Sequence, residues 1–198
     1  MPPTPTPKAG LDRSVVVRAA AALVNAEGVE ALTINRLARE LGVQPPSLYN
    51  HIEGLAALWQ ELAILNHTLL GDSIIKVSIG KSGPAGLRAL AYAYRAHIQE
   101  YPGLYQASLR TSRKMGTPDP RLQIAEDRVV QVALAMVESF GIAGAEAIHA
   151  VRALRSMVHG FATLEAAGGF GLALSLDESF DRLIDLVILG LENKRKEL

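Results

Sequence analysis

Apolar side chains recur along this chain three and four positions apart, the period of one helical face, and strand-like alternation is absent. Val16, Ala20, Leu23 and Val24 make the first stripe, closed by Glu27-Gly28. Thr33 then precedes Ile34, Leu37, Ala38 and Leu41, which gives a short helix with a hydroxyl N-cap. Gly42 supplies the left-handed backbone that ends this helix and turns the chain. A second helix starts at Gln44 or Pro45, since proline is tolerated in a first turn whose N–H groups lack partners anyway. Gln44, just before a proline, is pushed to extended geometry and suits its N-cap. Leu55, Leu58, Leu62, Leu65 and Leu69 predict a long helix from about Gly54 towards Ile79. Glycine and proline breaks then separate helices expected over 84–101, 103–112, from 120 to Phe140, and 144–167. A last helix runs from Asp177, as N-cap, to Lys194. The pattern predicts an all-α chain.

Two short helices across a glycine turn form the architecture that lays its second helix in a DNA major groove. Charge does not simply support this. The net charge is zero, and in residues 1–60 Lys8, Arg13, Arg18, Arg36 and Arg39 are balanced by Asp12, Glu27, Glu30, Glu40 and Glu53. Phosphate contact then leans on helix N-termini and neutral donors as well as on arginines. The absence of cysteine removes disulfides and thiolate metal sites and agrees with a reducing cytosol. Residues 1–11, rich in proline, read as a disordered tail with no signal-peptide character. The densest apolar run, Leu183 to Leu191, contains Asp185 and falls short of the ~20 residues of a membrane span. These features predict a cytoplasmic protein without cofactor, metal or membrane partner.

Leu32-Thr33, Leu37-Ala38, Leu41-Gly42-Val43 and Ser47-Leu48-Tyr49-Asn50-His51 closely resemble the DNA-binding domain of the TetR (tetracycline-repressor-like) family of bacterial regulators. The resemblance is strongest over residues 12–65. It implies about nine helices, with a helix-turn-helix domain at 12–53 and a ligand-binding and dimerisation domain at 54–198. It implies a regulator, by the family's habit a repressor, released from a palindromic operator by a small, mostly apolar effector. Thr33, Asn35, Arg36, Gln44, Pro45, Ser47, Tyr49, Asn50 and His51 are the positions it places at DNA. Of these, Asn35, Gln44, Pro45 and Ser47 fall at base-reading positions. Asn and Gln can bond adenine bidentately, and Pro45 can touch a thymine methyl. Thr33, Tyr49 and His51 fall at backbone-holding positions. Leu55 stands where the family often has a phosphate-binding lysine. In the C-terminal half, Arg155-Ser156-Met157-Val158-His159-Gly160-Phe161 resembles the ligand domain named for a Trp-His-Gly signature, with Val158 in place of the tryptophan.

The last helix is apolar around most of its circumference, and Ile148 to Phe161 carries a second wide apolar face. Ile148, Val151, Val158, Leu183, Val187 and Leu191 are therefore the expected homodimer contacts. A two-fold dimer would present two recognition helices ~34–36 Å apart to a near-palindromic duplex. Tyr92, His97, Tyr101, Tyr105, His149, Arg152, Ser156 and His159 are the candidate effector contacts, with Met115 nearby in sequence. His149, Arg152, Ser156, His159 and Thr163 form one polar seam that lines either a pocket or the dimer interface. A helical-bundle metal enzyme is the alternative from another class, because Glu146-Ala-Ile-His149 is one Glu-x-x-His half-site. No second half-site, His-Glu-x-x-His or Gly-x-Ser-x-Gly occurs. No catalytic residue is assigned. A helical adaptor that has lost DNA binding is the third reading.

Overall fold

The computed structural model describes residues 10–110 and 119–197, with side chains to 194. The tail at 1–9, Met115 and most of the 116–120 loop lie outside them. Nine α-helices and one 3-10 turn, with no strand, make up the described residues. They are α1 (Arg13–Glu27), the turn Val29–Ala31, α2 (Ile34–Leu41), α3 (Pro45–Leu48) and α4 (Gly54–Ser78). Then come α5 (Gly83–Glu100), α6 (Pro102–Leu109), α7 (Pro120–Glu138), α8 (Gly144–Ala166) and α9 (Leu176–Glu197). The local signals act as their chemistry dictates. The Asp12 carboxylate caps α1 by accepting from Val15 N–H, and the Thr33 hydroxyl caps α2 by accepting from Arg36 N–H at 3.0 Å. Gly42 sits at φ 65°, ψ 31° and closes α2.

Three details differ from the sequence expectation. The Val29–Ala31 turn was too short for any periodic stripe to reveal. Helix α9 begins two residues earlier, capped by Ser175 rather than Asp177, the Ser175 hydroxyl accepting from Glu178 N–H at 3.3 Å. The Asp177 carboxylate is instead bound by Arg95 on α5, a partner distant in sequence.

Two hydrophobic cores share two helices. The N-terminal core gathers Val16, Leu23, Leu37, Leu48 and Ile52 with Leu58 and Leu62 of α4 and Leu104 and Ala107 of α6. It therefore crosses residue 53. The second core gathers Leu70 and Ile74, about two and three turns further along α4, with Leu87, Ile98, Tyr105, Phe140, Leu154, Val158 and Phe180. One rigid helix thus has its first half in one core and its second half in the other. Helix α6 does the same across its two faces.

Candidate DNA interface and effector cavity

The helix-turn-helix presents a clear division between core and surface. Leu37 and Leu48 are fully buried, which fixes α2 against α3. Thr33, Asn35, Gln44, Tyr49 and Asn50 are exposed, while Pro45, Ser47 and His51 are half-buried. Tyr49 is 58% exposed, a large aromatic left in solvent. Gln44 is extended at φ −78°, ψ 145° and makes no side-chain capping bond, so its amide is free to meet another molecule. The second helix is a single turn that opens on Pro45-Pro46, and the chain turns again through His51, whose N–H donates to the Leu48 carbonyl at 2.9 Å.

Arg36 lies differently from its sequence expectation. Its guanidinium donates to Glu27 from Nη2 at 2.5 Å and Nε at 3.2 Å, and to Glu40 at 2.8 Å. These bonds hold the Glu27 carboxyl below its usual range. Arg36 therefore ties the end of α1 to α2, and its charge is already compensated. Arg39, exposed on the same helix, makes no ion pair among the described residues.

A cavity of about 350 Å³ opens between α4, α5, α6, α7 and α8. Leu70, Ile74, Leu90, Val129, Ala133 and Leu154 give it apolar walls; His67, Tyr94, Tyr105, Ser108, Glu126 and Arg155 add polar groups. Behind one wall, Tyr94 Oη meets Tyr105 Oη at 3.0 Å, and Tyr105 Oη meets His159 Nδ1 at 2.8 Å. Burial, with Tyr94 alongside, pushes the Tyr105 phenol above its usual range, so it stays a neutral donor.

Of the candidate effector contacts, Tyr105 lines this cavity and His159 reaches it through Tyr105. Tyr92 packs edge-on against Phe180, ring centroids 5.2 Å apart, and Tyr101 lies beside the N-terminal core. His149, Arg152 and Ser156 are exposed and line no part of the cavity, so the polar seam of α8 splits between outside and inside. His67, Ser108, Glu126 and Arg155 were missed; a hint was the polar pair Asn66-His67 inside the leucine stripe of α4. Among the expected dimer contacts, Ile148 is exposed, and Val151, Leu183 and Val187 are half-buried. Val158 is 0% exposed and Leu191 is buried as well. Both belong to the protomer's own core, because α8 and α9 turn those positions inward onto α5. Glu146, half of the conceivable metal pair, lies 3.6 Å from Lys194 Nζ. No group of three metal-ligating side chains occurs among the described residues.

His97 is buried and sits behind the cavity. Its Nε2 donates to the Asn66 amide oxygen at 2.9 Å, while Asn66 Nδ2 donates to Ser108 Oγ at 3.1 Å. The network joins α4, α5 and α6. Burial pushes His97 down to about 4, with His67 acting in the same direction and Glu100 opposing. The unfolded chain, near 6.5, therefore binds a proton that the folded chain refuses. Stability should be fully retained above pH 6.5 and fall progressively as pH drops towards 4. The loss should reach about 2 kcal/mol at pH 5. Urea midpoints at pH 7.5 and 5 check this; His97→Gln should shrink the difference, and an unchanged difference would reject the assignment.

Residues 16–61 match the family described as "Bacterial regulatory proteins, tetR family", and residues 87–187 match "Tetracyclin repressor-like, C-terminal domain". The chain is 34% identical over 194 residues to the uncharacterized HTH-type transcriptional regulator YobS of Bacillus subtilis, covering 98% of this chain and 99% of YobS. The chain belongs to the TetR family. This TetR-family protein is a helix-turn-helix transcriptional regulator, and neither matched description names the Trp-His-Gly variant. Its fold recurs in a protein of unknown function from Rhodococcus sp. RHA1, with TM-score 0.79 at 22% identity over 95% of this chain and 100% of that one. It recurs also in a TetR variant from Acinetobacter baumannii AYE in complex with minocycline, with TM-score 0.70 at 24% identity over 94% and 99% of the two chains. Among the described residues of this TetR-family regulator, no helix is long and apolar enough to cross a membrane.

Proposed function

We propose that this regulator is a homodimeric repressor that leaves a near-palindromic operator when a small, mostly apolar effector fills the cavity between α4 and α8. The observation that carries the reading is the position of that cavity. Tyr105, Ser108 and Leu109 of α6 line it, while Leu104 and Ala107 of the same helix are core residues of the DNA-binding domain. A ligand that fits one arrangement of α6 better than another shifts the heads by its differential affinity. The minocycline complex of the Acinetobacter protein supports a ligand domain of this fold. Dimerisation through α8 and α9 is supported by Ile148, Leu164, Leu186 and Leu189, which stay exposed on those helices; Leu186 is 67% exposed.

Selection from a random duplex library tests the DNA side. The full chain should enrich a palindrome whose half-sites lie about one helical turn apart. Gln44→Ala should relax one base pair in each half-site at a cost of about 1–3 kcal/mol, and Tyr49→Phe should weaken all sequences alike. Absence of any enriched sequence overturns the reading. An unchanged profile for Gln44→Ala removes Gln44 from the base readers.

A further inference from the structure

The polar groups of the cavity are not equally satisfied. Glu126 on α7 has an interaction partner of its own, whereas Arg155 on α8 makes no ion pair among the described residues. Arg155 is also exposed, which puts its guanidinium at the solvent side of a site whose walls are aliphatic. His67 on α4 lines the same cavity, and its Nδ1 is buried without a hydrogen-bond partner among the described residues. An unpaired buried polar atom costs free energy that a ligand headgroup can recover. The two residues are electrostatic neighbours: after burial, which dominates, and Glu126, which opposes it, Arg155 further lowers the basicity of His67.

We infer that the effector of this regulator is an amphipathic organic acid, its carboxylate held by Arg155 and His67 and its hydrocarbon body in the aliphatic interior. The inference rests on the cavity being the effector site. A carboxylate accepts charge-assisted bonds from the guanidinium and from the imidazole, satisfying both open groups at once. A neutral apolar ligand leaves both as they are. A cationic one meets Arg155 with like charge, and the cavity's one carboxylate is already engaged.

Octanoate, octanamide and octylammonium share a chain and differ in headgroup charge, so calorimetric titration of the full chain with each tests the inference. Octanoate should bind roughly tenfold more tightly than octanamide, and octylammonium more weakly than either. Arg155→Gln should bring octanoate to the level of octanamide, abolishing the tenfold preference, and Arg155→Lys should keep part of the preference. The exposed position of Arg155 makes both variants compatible with folding, which an unchanged circular dichroism spectrum and urea midpoint verify. Equal binding of octanoate and octanamide overturns the acid and leaves the cavity as effector site. A preference that survives Arg155→Gln overturns the assigned residue. If none of the three probes binds or raises the melting temperature, the effector reading of the cavity falls with it.

Discussion

Arg95→Ala should lower the stability of the chain by about 3–5 kcal/mol, because the substitution strands a mostly buried carboxylate. Arg95 is 4% exposed. From α5 its guanidinium grips Glu165 of α8 through two bonds, at 2.7 and 2.5 Å, and Asp177 of α9 at 2.8 Å. Its flat faces lie 5.4 Å from the ring centre of Phe161 and 4.8 Å from that of Phe180, so the cation is screened by aromatic surface. The Glu165 pairing raises its pKa further, and the charge persists at any pH the fold survives. A thermal melt should shift by roughly 6–20 °C for a chain of this size. Arg88 is the internal comparison: it pairs with Asp181 and Asp185 of the same α9, but at the surface. Arg88→Ala should cost less than about 1 kcal/mol. Similar losses for the two variants would show that burial does not set the worth of the Arg95 cluster. Removing the stranded charge together with the arginine, as in Arg95→Met with Glu165→Leu, should recover much of the loss, since the two residues act as one unit.

That cluster also shows what a sequence hides. The helices were legible because α4 repeats leucine at Leu55, Leu58, Leu62, Leu65 and Leu69, and a stripe is a local property. Gly42, Thr33 and the Pro45-Pro46 start were legible for the same reason, since each acts within four residues of itself. Arg95, Glu165 and Asp177 are 70 and 82 positions apart, and nothing in either segment marks the partner. Asn66, His97 and Ser108 likewise meet only after α4, α5 and α6 pack. Val158 exposes a second limit. Its apolar stripe on α8 says that a face is buried but not by which chain, and here the protomer itself covers it. The DNA-binding half was read further than the effector half because its residues lie within one short motif. The cavity, in contrast, takes its lining from five helices.

The junction between the halves is where a single methyl group should have the most specific effect. At Gly103, the second residue of α6, an added Cβ would lie 1.9 Å from the Val24 carbonyl oxygen and 2.7 Å from the Asn25 nitrogen. Both are backbone atoms near the end of α1, so no side-chain rotation relieves the clash. The fit is close because Asn25 Oδ1 caps α6 itself, accepting from Leu104 N–H at 2.8 Å. Gly103→Ala must push α6 away from α1 and should cost about 3 kcal/mol, the upper end for an overpacked core. Its functional consequence separates two roles for α6. If α6 only fills space, operator affinity should fall no further than the folded fraction does. If α6 sets the head against the cavity, the folded variant should lose operator affinity roughly 5–150-fold, the range of couplings between sites. Binding of octanoate to the cavity, which Tyr105 and Ser108 line from the far face of the helix, should change much less. Circular dichroism fixes the folded fraction, and DNA titration at the same temperature gives the remainder. Displacement is the expected result, because α6 touches the cavity with one face and the DNA-binding core with the other, and α1 holds its N-terminus without slack.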